Sequence, residues 1–567
     1  MASQFRLSVG ILLCIFIVLM PQLHATAADA APLHARIDAI IEAASKPDPE
    51  PEKFAPLSDD AEFFRRVSLD LAGSVPTSAA TKAFIADASV TKRARVIDEL
   101  LAAPDWAGRM ADLFHVILME RRGDDQDWQA WLEESFKANK PWNQLVYQVL
   151  NADADDESNR AAAYFMSKRL DKYGQNPVDY PSLVRDIGRM FLGKDLQCAE
   201  CHDHLFIDDY KQIDFQGLFA VYKNTFVRRD VKFAAIGEKA LTAPVEFVSV
   251  FDPTQRTTGP RLPGGSSFEI PKPKPAESPA PKKKQPVPPR PEWSAVELLA
   301  RELTRPDNRQ FARTTVNRIW YVMLGRGLVH PVDLDHSGNP PSHPELLDLL
   351  TDEFIAHDYD LKWLVREIVL SNTWQRTSRR STETEQPKPE SFGVSLERPL
   401  MAEQLLASVI RATESEDLLK TAATASTDKD AKPDKEPADK SAPEDDSKIP
   451  TRAELEAGFA GAFANEAREP EGEFKATVKG ALFWRNSDLV QRLLSRQPGN
   501  LMDRLLKIEK PGPLVEELYL AVLSRHPADE ERSLMTDFLG NPDADRETTV
   551  RDAAWALLTS IEFYVNH

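Results

Sequence analysis

The stretch LVRDIGRMFLGKDLQCAECHDH, Leu183 to His204, sets the reading of the whole chain. Its first half, Leu183 to Leu192, places apolar residues at helical spacing. Its second half holds Cys198-Ala199-Glu200-Cys201-His202, the CxxCH string at which c-type haem is attached. The string suits that chemistry for a physical reason. Two thiols must add across the two vinyl groups of one porphyrin, and three positions of separation let both reach one edge of the ring. The next residue, His202, then lies beneath the iron as proximal ligand. A thioredoxin-like redox motif needs a strand before the CxxC, and a helix precedes it here.

Outward from this stretch the 3.6-residue period continues. Leu33, Ile37, Ile40 and Ile41 carry it, as do Phe63 to Leu71, Val96 to Leu101, Trp106 to Phe114, and residues 129 to 150. Val231-Lys-Phe233 and Val245 to Phe251 read as short strands. From Pro253 to Pro291 the chain holds 12 of its 42 prolines, together with Lys272, Lys274 and Lys282 to Lys284. That composition reads as an extended, solvated linker. Helical periodicity returns over 294 to 412 and again from Ala453. Ser342-His-Pro-Glu345 reads as a capping box, with Ser at the N-cap and Glu at N3. Thr413 to Pro450 lacks aromatics, is rich in Ala, Lys, Asp, Pro and Ser, and reads as disordered. The expected fold is mainly α with a few short β-strands, as two helical domains joined by a Pro/Lys-rich linker. The expected bounds are 1–27 for a signal peptide, 28–265 for the CxxCH domain, 266–293 for the linker, and 294–567 for a helical domain with the insert 413–450.

The chain has 567 residues, 42% hydrophobic and 28% charged, with mean hydropathy −0.40. This excludes a polytopic membrane protein, a collagen and a fully disordered chain. A net charge of −19 argues against nucleic acid as main partner, because phosphate binding wants a basic face. Arg6, an apolar run of about 14 residues from Leu7 to Met20, and the small-x-small Ala25-Thr26-Ala27 predict a cleaved signal. The mature protein is then exported, periplasmic or extracellular, and membrane contact follows only if that segment stays uncleaved. Signal removal takes Cys14 and leaves Cys198 and Cys201 alone. Two cysteines cannot staple an exported protein of this size.

Other chemistries stay open at the motif. The two thiols form a small disulfide loop in an oxidising compartment. Alternatively Cys198, Cys201 and His204, with Asp208 or Asp209, hold zinc or copper. If haem is bound, its second axial ligand comes from upstream (His115, Met166, Met190) or from the second domain (Met323, His330, His336, His343), and otherwise the iron is five-coordinate. Gly188 to Asp195 nearly matches a P-loop, but Asp195 stands where Ser or Thr should bind magnesium, so no nucleotide is expected. Asn151 to Asn159 is acidic like a calcium loop yet lacks its glycine and closing glutamate. Asp335-His336-Ser337 reads as a turn, since adjacent residues rarely meet as a catalytic relay. No catalytic residue is nominated. A non-redox reading makes the chain an extracellular interaction protein, with Gly338 to Leu347, Trp320, Tyr321 and Trp363 facing a partner or glycan. Helical spacing favours those aromatics as core instead.

Several separate blocks share a resemblance. Phe64 to Thr77 (FRRVSLDLAGSVPT), Arg95 to Leu101 and Phe191 to His204 resemble the planctomycete cytochrome-like domain of unknown function of the PSCyt-two type. Thr258 to Gly265 (TGPRLPGG) looks like its C-terminal signature. Phe311 to Trp320, Gly325 to Leu328, Asn339 to Leu347, Ile368 to Ser371 and Ser560 to Tyr564 resemble the companion PSD-one domain. The resemblance implies an exported protein whose biochemical role is not established. It places Cys198 and Cys201 at the thioether positions, His202 as proximal ligand, and His204 at the second histidine of the family's Cys-His-Asp-His run. Leu205 stands where the family usually has proline. The implied cofactor is c-type haem, and the implied partner an unidentified redox protein.

Overall fold

The computed structural model describes residues 31–44, 54–172, 174–272, 290–379, 387–419, 450–469 and 478–567. The 1–27 signal therefore lies outside the described residues, as do most of the linker and most of the 413–450 insert. The fold is mainly α. The strands among the described residues are two or three residues long and form three antiparallel ribbons. β1 (Thr225–Val227) pairs with β2 (Ile236–Glu238), β3 (Val245–Phe247) with β4 (Arg256–Thr258), and β5 (Arg398–Pro399) with β6 (Val565–Asn566).

Two strand expectations need correction. Val231 to Phe233 is not a strand, because Val227 pairs with Ile236 and the residues between must turn. The strand expected over Val245 to Phe251 stops at Phe247. Beyond it the backbone groups leave the ladder: Val248 O accepts from Gln212 Nε2 at 3.0 Å, and Val250 N donates to Cys201 O at 3.1 Å.

Helix starts are set by local chemistry. Asp59, Asp125, Asp179 and Asp360 each accept a backbone N–H from the first turn of the helix they precede. The box at Ser342 is different. The Pro344–Ala356 helix has His343 at its N-cap, and the Ser342 hydroxyl donates to Leu328 O at 3.3 Å. Pro344, with no N–H and a preset φ, opens the helix one residue later than the box requires.

A main apolar core runs from Leu33 to Phe392 and draws on both helical regions, with Phe63, Trp128, Ile187, Phe311, Leu347 and Trp374 all buried in it. Polar contacts follow the same route. Asp38 accepts from the N–H groups of Asn372 and Thr373, each at 2.8 Å, and Trp142 Nε1 donates to Thr315 Oγ1 at 3.0 Å. Phe268, Ile270 and Trp293, at the two ends of the Pro/Lys segment, pack against this core. A second core spans Leu400 to Phe563 and takes in Leu69 and Val75.

The start of the expected disordered insert is also corrected. Thr413 and Ser415 are fully buried and Leu419 nearly so. Thr413 Oγ1 donates to Val409 O at 2.8 Å, and Thr413 O accepts from Leu501 N at 3.0 Å. Polar composition suggested disorder, but these hydroxyls find local acceptors and Leu419 joins the second core. Among the described residues no helix is long and apolar enough to cross a membrane.

Candidate functional site

The Tyr180–Leu192 helix carries the chain to the CxxCH turn. Asp179 caps it, accepting from Ser182 N at 2.9 Å, and Pro181 sits in the first turn. Leu183, Val184, Ile187, Met190 and Phe191 are buried. Gly188 lies inside this helix, so the P-loop-like string forms no phosphate cradle. Gly193 ends the helix at φ +63°, and a Cβ there would stand 3.0 Å from Thr314 Oγ1. The backbone then locks onto the second helical region. Asp335 N donates to Gly193 O at 2.9 Å, and Asp195 N donates to Asp333 O at 3.1 Å.

Residues Cys198–Glu200 form one 3-10 turn. Leu196 and Ala199 are fully buried and anchor it, while Cys198 and Cys201 are exposed free thiols. Side chains at i and i+3 eclipse in a 3-10 turn, and Cys198 and its C-cap Cys201 stand at that spacing. The turn is braced around its rim. Glu200 pairs with Arg185 at 2.5 Å, Glu200 O accepts from Gln216 Nε2 at 3.2 Å, and Cys201 O accepts from Val250 N.

The two histidines of the motif are set in opposite states. His202 Nδ1 lies 2.6 Å from Asp203 O. A carbonyl only accepts, so Nδ1 carries the proton and Nε2 keeps its lone pair. The Phe251 ring packs at 4.7 Å from the imidazole, tilted by 53°. His204 Nδ1 instead accepts from Phe206 N at 3.2 Å and Ile207 N at 3.0 Å. Its proton therefore sits on Nε2. His204, named from sequence as a metal ligand beside His202, closes a loop here and offers no lone pair to a metal. The zinc or copper donor set is not assembled either. Asp208 is exposed and pairs with Lys211 at 3.5 Å, and Asp209 accepts from Ser337 N, a bond that holds its carboxyl below the usual range. Among the described residues no group of three or more His, Cys, Asp or Glu side chains converges on a metal position.

Sequence reasoning missed the apolar border of the motif. Leu205 is 64% exposed, Phe206 90%, Val248 54%, Val250 68% and Phe251 67%. These five lie on the two segments that flank the CxxCH turn, joined to it by the Val250–Cys201 bond and the His202–Phe251 contact. The available signal was the apolar run from Val245 to Phe251, which outlasts the three residues that its partner strand pairs.

Behind the motif, Tyr210 is buried, its ring 6.0 Å from His204 and 5.4 Å from His336. His336 Nδ1 accepts from Gly338 N at 3.1 Å, and Asp335 pairs with Arg313 Nε at 2.9 Å, so Asp335-His336-Ser337 is a docking loop and not a relay. A buried charge network underlies it. Asp186 accepts from Arg122 and Arg169, each at 2.9 Å, and Arg189 bridges Glu120 to Asp333. Burial raises the Asp186 carboxyl, but the Arg169, Arg122 and Arg189 guanidiniums outweigh it and hold the group ionised. In the acidic loop, Asp153 and Asp156 accept from Asp155 N and Ser158 N in local turns. Trp320 is fully buried with its ring edge-on to Phe392, and Trp363 stacks on His357 at 3.5 Å. Of the aromatics read from sequence as a partner face, Trp320 is core instead.

Two family models match the chain. PSCyt2, a protein of unknown function (DUF1549), matches residues 36–226 and takes in the CxxCH turn. PSD1, a protein of unknown function (DUF1553), matches residues 297–539 and takes in the 333–339 loop that docks behind it. Neither the curated proteins nor the solved structures gave a significant match. The chain thus belongs to the proteins that carry a PSCyt2 domain followed by a PSD1 domain, both of unknown function.

Proposed function

We propose that this is an exported protein that covalently binds one c-type haem for electron transfer or periplasmic redox chemistry. Cys198 and Cys201 form the thioethers and His202 is the proximal ligand. Each thiol adds across one vinyl group, sulfur to one carbon and hydrogen to the other, so no oxidant is consumed. The observation that carries the reading is the state of His202, with its lone pair on Nε2, beside two free exposed thiols and an exposed apolar border. A proximal histidine needs that tautomer, fixed by an Nδ1–H bond to an acceptor. A porphyrin needs apolar surface to lie against. Bound there, the haem supplies a one-electron couple whose potential follows from its axial ligands and surroundings. The chain's own part is to present the two exposed thiols, hold the His202 ring through Asp203 O, and brace the turn through Arg185 and Gln216.

The test is a pyridine haemochrome spectrum on mature protein made in a host with c-type maturation. A haem band that survives acid-acetone extraction, and is lost in the Cys198→Ser/Cys201→Ser variant, supports the reading. A colourless wild-type protein from that host overturns it, and leaves the CxxC as a redox-sensitive thiol pair or disulfide.

A further inference from the structure

We propose that no histidine or methionine of the described residues gives the iron a second axial ligand, and that the open position takes a small diatomic of the carbon monoxide class. The inference rests on covalent haem at Cys198, Cys201 and His202. Every histidine and methionine beyond residue 30 is among the described residues, so each can be placed. His34 pairs with Glu367, His357 stacks on Trp363, His526 pairs with Glu516, and His567 lies 3.9 Å from Glu562.

The upstream group is spent. His115 uses both ring nitrogens, Nδ1 accepting from Trp128 Nε1 at 3.0 Å and Nε2 lying 2.9 Å from Asp124. Met166 and Met190 are buried in the main core. In the second helical region Met323 is buried in that same core, His343 packs against Phe392, and His330 stacks on Tyr321. The remaining methionines are packed in the cores, apart from Met401, whose sulfur faces Arg109 at 3.5 Å, and Met535, which packs against the second core.

Only His204 and His336 stand at the site, on either side of Tyr210. Both use Nδ1 to accept backbone N–H groups. Each would have to move its proton to Nδ1 to free Nε2. That turns N–H against N–H, loses two hydrogen bonds at His204 and one at His336, and leaves those donors unpaired. Of the three histidines at the site, His202 is the one in the ligating tautomer.

The experiment uses the haem-loaded full chain. Ferric spin state is read by electron paramagnetic resonance, and the reduced protein is titrated with carbon monoxide while the Soret band is followed. The expected result is a high-spin ferric signal and saturable carbon monoxide binding. His204→Ala and His336→Ala, checked for folding by circular dichroism, should keep the spin state and bind within about threefold of wild type. A low-spin ferric signal with resistance to carbon monoxide would overturn the proposal, and its conversion to high spin in His336→Ala would name that residue as the ligand. A high-spin protein that binds no carbon monoxide would overturn the open position. A colourless protein fails the haem reading itself, which is a different outcome from any of these.

Discussion

Gly193→Ala tests how the helix hands the chain to the motif. Gly193 sits at φ +63°, where an L-residue costs about 1–2 kcal/mol. An added Cβ would meet Thr314 Oγ1 at 3.0 Å and both Thr314 Cγ2 and Asp335 Cβ at 3.5 Å. Those atoms are held in place, since Thr314 Oγ1 donates to Gln310 O at 2.8 Å and Asp335 is paired with Arg313. Crowding at the low end of overpacking adds about 1 kcal/mol. The stiffer unfolded chain returns about 0.4–1 kcal/mol. The net expectation is a loss of about 2 kcal/mol, read as a lower midpoint in urea at unchanged slope. Thr314→Ala removes the nearest atom. The Gly193→Ala/Thr314→Ala pair should therefore recover about 1 kcal/mol in a double-mutant cycle, while the backbone cost stays. Haem loading should fall with the single variant, because the CxxCH turn begins five residues on. A loss under about 0.5 kcal/mol, or no coupling to Thr314, would refute both the left-handed turn and the close approach.

Glu517 accepts from Ser78 Oγ at 2.7 Å and pairs with Lys82 and Arg504. Burial raises its carboxyl, but those hydrogen bonds outweigh burial and bring it down to about 2. Its stabilisation is therefore complete above pH 4.5 and is lost as pH falls from there toward 2. Glu517→Gln should cost about 1–2 kcal/mol at pH 7, discounted for the half-exposed lysine and arginine, and nothing near pH 2, which a stability-versus-pH series would show. Ala199→Leu, under the thiol turn, should cost about 1–3 kcal/mol and lower thioether yield with the helical spectrum kept. Phe251→Ser should leave stability within about 0.5 kcal/mol yet lower haem loading, because the ring is exposed but packs on His202. Ile187→Ala, in the main core, should cost about 2–5 kcal/mol by denaturant midpoint.

Much of the fold was legible because helices record themselves locally. The apolar period of Leu183 to Leu192 needs no partner to be seen, and Asp179 and Gly193 mark its ends within the same fifteen residues. The short strands were less legible. A strand exists only where another chain segment pairs with it, so the Val245 to Phe251 run could not show that its partner stops at Arg256. The capping box at Ser342 failed by one residue, since Pro344 competes for the same start. The insert boundary failed because Thr413 and Ser415 are satisfied by local carbonyls, which composition does not register.

The sequence by itself determined a mainly helical chain, a CxxCH string with the only two cysteines beyond Cys14, and the pairing of two helical regions now matched as PSCyt2 and PSD1. Spacing and periodicity are properties of neighbours along the chain, so they survive without a structure. Only the tertiary structure decided that both thiols are exposed beside a buried Ala199, that His202 keeps its Nε2 lone pair while His204 spends its Nδ1 lone pair on backbone N–H groups, and that Val250 and Phe251 lie against the motif. It also decided that Ser337 docks on Asp209, 128 positions away in the chain. A histidine's tautomer and a side chain's exposure are set by whichever groups folding brings alongside, and those groups lie far off in sequence.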